Sequence, residues 1–133
     1  MSIQVIYPFG PTMAKIKLSN AIIKKINDEV DKIVSNKLLS KKYNYAKKLA
    51  GVVEQEIELP KSFTNKFLKS TLEIKIKEFV KKSTGKIPKK IKLKNFWVVR
   101  QFAHDYNPVH FHDGDISGVG YLMLPKNFSA SRK

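Results

Sequence analysis

Hydrophobic positions along the chain change period several times, and each change marks an element. Ile3, Val5 and Tyr7 alternate with Gln4 and Ile6 ahead of Pro8, Gly10 and Pro11, which predicts a short leading edge strand closed by a turn. From Ser19 the period lengthens: Ile22, Ile26, Val30 and Ile33, widened by Ile23 and Val34, make one helical stripe. Lys24, Lys25, Asp28, Asp31 and Lys32 lie mainly off that stripe, so this helix packs one face and solvates the other, with Ser19 or Asn20 as its cap. Residues 36–51 have weak periodicity and end at Gly51, which predicts a loop with room for one helical turn. Val53, Gln55, Ile57 and Leu59 then alternate with Glu54, Glu56 and Glu58, giving a one-sided strand closed by Pro60. The glutamate row is the kind of pattern that can bind a metal, but a solvated face balancing nearby lysines is the simpler reading.

A second helix follows, with Ser62 as the expected cap and Phe63, Phe67, Leu68, Leu72, Ile76, Phe79 and Val80 as its apolar stripe. Gly85 and Pro88 stop it. After the following turn, Ile91, Leu93, Asn95, Trp97, Val99 and Gln101 point one way and Phe96, Val98 and Arg100 the other. Apolar residues on both sides of Trp97 predict a strand covered on both faces. The class implied is α+β, with two N-terminal helices packed on strands. A chain of 133 residues without repeat, linker or low-complexity tract is expected to form a single domain over 1–133, with 126–133 as a frayed tail.

Composition narrows the chemistry. The absence of cysteine removes disulfides, thiolate zinc sites, iron–sulfur clusters and cysteine nucleophiles, so any metal must rest on His, Asp or Glu. The net charge of +15 raises a polyanion as partner. All but Arg100 and Arg132 of the 26 basic residues are lysine, however, and they are spread over the whole chain, whereas bidentate phosphate and guanine recognition favours arginine. No apolar run is long enough to span a bilayer, and MSIQVIYPFG lacks the features of a signal peptide, so a cytoplasmic protein without membrane contact is expected. There is no P-loop, GxGxxG, GxSxG or HExxH.

Only residues 104–125, HDYNPVHFHDGDISGVGYLMLP, are chemically dense, and they hold all three histidines. If this segment runs as a strand, His110 and His112 present two imidazoles on one face around Phe111, at a spacing suited to chelating one cation. Asp113 or Asp115 follows closely enough to complete a two-histidine, one-carboxylate set with open positions. Pro108 holds Asn107 extended ahead of the clip.

On these residues the chain resembles a family. Trp97, Asn107–Pro108, His110–Phe111–His112, Ser117–Gly118–Val119, Tyr121–Leu122 and Pro125 are similar to the W…NPxHxH…SGVxYL…P pattern of 2-oxoglutarate/iron(II)-dependent oxygenases. That branch of the double-stranded β-helix superfamily is frequent in bacteriophages and marine bacteria. The order of the upstream elements is similar as well, so the resemblance spans nearly the whole chain while its specific part is 97–125. It implies a partial double-stranded β-helix, or jelly roll, with Fe(II) as metal and 2-oxoglutarate as cosubstrate. In such enzymes the iron, held by two histidines and a carboxylate, chelates the 2-oxo acid and activates oxygen to hydroxylate an unactivated C–H bond. The resemblance makes His110 a ligand, leaves His112, Asp113 or Asp115 for the second position with His112 preferred, and puts Tyr121 within reach of the cosubstrate carboxylate. The family's later strands would bring a distal histidine and an Arg or Lys for the cosubstrate. After Pro125 only KNFSASRK follows, so the chain is expected to correspond to the N-terminal portion of the fold, with His104 as a distant surrogate for the third ligand.

Two other functions compete. One is a basic module binding nucleic acid or another polyanion. The other is a noncatalytic assembly protein that self-associates through the open edge of its last strand. The substrate is not readable from these residues.

Overall fold

The computed structural model describes residues 3–7, 9–48 and 51–126. Four strands and four α-helices follow in the order β1 (Ile3–Ile6), β2 (Met13–Ile16), α1 (Asn20–Ser35), α2 (Lys37–Tyr43), β3 (Gln55–Glu58), α3 (Lys61–Phe67), α4 (Glu73–Thr84) and β4 (Trp97–Arg100). A 3₁₀ turn at Ala46–Lys48 precedes β3, and a π-helical turn at Leu68–Leu72 joins α3 to α4. The class is α+β. The strands pair antiparallel in two separate ladders, β1 with β2 and β3 with β4. This is coarser than the expected partial jelly roll: among the described residues, 101–126 form no ladder strand and contribute a single isolated bridge, Val52 with Tyr106.

The core forms where the α1 stripe meets the β3–β4 ladder and α3. Ser19 caps α1 by accepting a hydrogen bond from the Ile22 amide at 3.4 Å, and Ile26, Val30 and Ile33 are buried as their spacing requires. They cluster with Ile57, Leu59 and Phe67, and Phe63, Phe96, Val98 and Leu122 pack against that cluster. Burying one such aliphatic or aromatic side chain contributes roughly 1.5–3 kcal/mol. Leu122 ties the far end of the histidine-bearing segment to the same core.

Several expectations are corrected. Residues 36–51 were expected as a loop, but α2 occupies Lys37–Tyr43 because Asn36 acts as a new cap: its Oδ1 accepts from the Leu38 and Leu39 amides at 3.0 and 3.1 Å. Leu39 and Tyr43 then reach the core. The second long helix starts at Lys61 with Pro60, not Ser62, in the cap position and no side-chain cap. Proline holds a φ of −56°, and its carbonyl accepts from the Thr64 amide at 2.9 Å, so the first turn needs no hydroxyl. That helix is also interrupted by the π turn, where the Ser70 hydroxyl donates back to the Lys66 carbonyl at 2.8 Å. It ends at Gly85 as expected. Strand β2 is an additional element, and the strand around Trp97 is confined to four residues with both faces half-buried. The expected tail lies, apart from Lys126, outside the described residues, as does Pro8. No helix among the described residues is long and apolar enough to cross a membrane.

Candidate metal centre

Antiparallel register decides which β3–β4 side chains share a face. Ile57 lies opposite Val98 and looks into the core, whereas Glu56 opposite Val99 and Glu58 opposite Trp97 occupy the other face. The segment after β4 comes back over that other face. It leaves the strand through a turn in which the Phe102 amide donates to Asp105 Oδ2 at 2.9 Å and His104 takes a left-handed φ of 71°. It is then pinned by reciprocal backbone hydrogen bonds between Val52 and Tyr106, both 2.8 Å. The approach there is close enough to require glycine: a Cβ on Gly51 would lie 3.0 Å from the Tyr106 carbonyl oxygen.

Past this pin the two imidazoles come together although no ladder holds residues 110–112. His110 Nε2 and His112 Nε2 are 2.8 Å apart and the ring centroids 4.7 Å apart. Each ring is oriented from behind. His110 Nδ1 lies 2.7 Å from the Pro108 carbonyl oxygen, and because a carbonyl only accepts, Nδ1 carries the proton and Nε2 offers a lone pair. His112 Nδ1 lies 2.9 Å from Ser117 Oγ, across a bend that Gly114 makes with a φ of 114°. The edge of one ring meets the face of the other between Trp97 and His112, with centroids 5.1 Å apart.

This arrangement has two proton states. In one, Ser117 donates to His112 Nδ1 and His112 Nε2–H donates to His110 Nε2, a closed chain of neutral groups. In the other, His112 donates from Nδ1 to Ser117 Oγ and both Nε2 lone pairs converge on one point, which is favourable only when a cation occupies it. Metal-ligating histidines ordinarily donate their second N–H to a carbonyl or similar acceptor, and Pro108 and Ser117 are such acceptors. The donor set therefore fits a cation held by two imidazoles.

The remaining candidates are placed less favourably. Asp113 pairs with Lys94 at 3.5 Å, and its side chain is 76% exposed. Asp115 and His104 are exposed, and no hydrogen bond joins either to the imidazole pair. Tyr121 is 72% exposed. No three His, Cys, Asp or Glu side chains are gathered as a metal cage among the described residues.

Glu56 departs from the expected solvated glutamate face. It is 7% exposed, and burial raises its carboxyl above the ordinary value of 4.5 while the charges of His110 and His112 pull it down. The alternation around β3 placed Glu56 on the right face, but only the return of residues 106–112 covers that face. The chain was compared with protein-family models, with curated proteins and with solved structures, and none of them matches it.

Proposed function

We propose that the chain is a 2-oxoglutarate/iron(II)-dependent oxygenase-type protein in which His110 and His112 are the imidazole ligands of a ferrous ion. The observation that carries this reading is the convergence of the two Nε2 atoms at 2.8 Å with each Nδ1 backed by an oxygen. A ferrous ion at that point would supply open positions for a 2-oxo acid and oxygen, the chemistry of C–H hydroxylation. The protein's own part is to hold the rings. The Pro108 carbonyl and Ser117 hydroxyl select the tautomers, Trp97 limits rotation of His112, and the Val52–Tyr106 bridge fixes the base of the segment. Tyr121 would serve the cosubstrate carboxylate once its segment is ordered as a strand. Residues 101–125 would take up jelly-roll pairing when further strands lie beside them, and Val109, Phe111, Val119, Tyr121 and Met123 are exposed apolar side chains suited to being covered in that way. The same exposed row favours a second reading, an assembly protein that docks through this segment without chemistry.

Anaerobic titration of the chain with ferrous ion and then 2-oxoglutarate separates these readings. The oxygenase reading expects a visible charge-transfer band that His110→Ala abolishes while leaving the far-UV circular dichroism unchanged. A folded wild-type chain that gives no band overturns it.

A further inference from the structure

We propose that Glu56 is the carboxylate ligand of this centre, so that the metal-binding set is His110, His112 and Glu56, with the carboxylate coming from strand β3. The inference rests on the reading of the two histidines as ligands. It differs from the sequence expectation, which drew the carboxylate from Asp113 or Asp115.

Position comes first. Glu56 lies on the face of the β3–β4 ladder that also carries Trp97, and Trp97 touches His112, so the carboxylate and the imidazole pair share one side of the sheet. Environment is the second observation. Glu56 is 7% exposed, and among the described residues no hydrogen bond or ion pair reaches its carboxylate, in a chain that carries 26 Lys and Arg. Glu58 on the same strand, by contrast, has Lys61 at 3.7 Å. A buried carboxylate without a counter-charge is unfavourable, and a divalent cation at the neighbouring imidazoles is the counter-charge that would relieve it. The effect of His110 and His112 on the Glu56 carboxyl places all three within electrostatic reach of one another.

The backbone beneath Glu56 is held firmly. Its amide donates to Asn44 Oδ1 at 3.1 Å and its carbonyl accepts from the Tyr45 amide at 2.9 Å. Closure of the three-ligand set therefore needs only rotation about the glutamate side-chain bonds, and no such set is gathered beforehand. Two imidazoles and one carboxylate on one side of a cation suit ferrous ion and other divalent first-row metals and leave coordination positions open.

The test uses the full chain and Co(II) as a spectroscopic probe, followed by its visible ligand-field bands. Wild type, His110→Ala and Glu56→Gln are titrated, and the urea midpoint of each metal-free protein is measured. Glu56→Gln is expected to lose more than about 100-fold in Co(II) affinity, beyond the roughly 10–100-fold typical of an outer partner. The bands of its residual complex should shift, and its metal-free midpoint should not fall. Wild-type affinity and bands in Glu56→Gln, alongside lost binding in His110→Ala, overturn the Glu56 assignment and leave the histidine reading standing. Weakened affinity with unshifted bands also overturns it, because Glu56 then acts from outside the coordination sphere. A folded wild-type chain that binds no Co(II) overturns both.

Discussion

Glu56 is a carboxylate placed where water cannot reach it, and the metal-free protein bears the consequence. Burial raises its carboxyl above 4.5, so the folded state retains a proton that the unfolded chain has already released. The contribution is fully present below the unfolded value and is lost as pH rises through the raised folded value. Glu56→Gln cannot ionise and should escape that loss. Urea unfolding of the metal-free proteins is expected to give nearly equal midpoints below about pH 4, where the carboxyl is protonated in both states, and a higher midpoint for the variant at pH 7. Parallel pH profiles would show that the carboxylate is solvated in solution. At this scale the HxH spacing was legible, because residues two apart project alike wherever the backbone is extended. Glu56 was hidden, because alternation assigns a residue to a face without saying what covers it.

Among elements, the segment 101–112 depends on one close backbone approach. A methyl group on Gly51 would meet the Tyr106 carbonyl at 3.0 Å, whereas one on Gly118 would meet nothing within 4 Å. Gly51→Ala is therefore expected to cost about 1–3 kcal/mol of stability and to weaken metal binding by displacing the start of the histidine segment. Gly118→Ala should be close to neutral in both urea unfolding and Co(II) titration. Equal behaviour of the two variants would dissociate the Val52–Tyr106 bridge from the site. Helix α1 could be read from its stripe and cap since its contacts follow from local spacing. Helix α2 could not, because it depends on Asn36 closing one helix and opening the next, with Leu39 and Tyr43 held by a core assembled from distant strands.

For the whole molecule, two long-range effects oppose each other. The net charge of +15 repels a second copy, while the exposed apolar side chains between Val109 and Leu124 favour being covered. If association runs through this segment, sedimentation should show a concentration-dependent dimer that strengthens as salt screens the repulsion. Polyanion binding would show the reverse dependence, weakening steeply with salt. A monomer at all salt concentrations would remove self-association as the way the apolar row is covered. The order of strand and helix, the α1 stripe, the alternation through β3 and the pairing of two histidines around Phe111 all follow from residue periods, since each is decided by neighbours within a few positions. The fold of residues 101–126 over the β3–β4 ladder, the burial of Glu56 and the diversion of Asp113 to Lys94 depend on contacts between segments tens of residues apart. Those contacts exist only once loops are closed and a shared core holds them, so no local period records them.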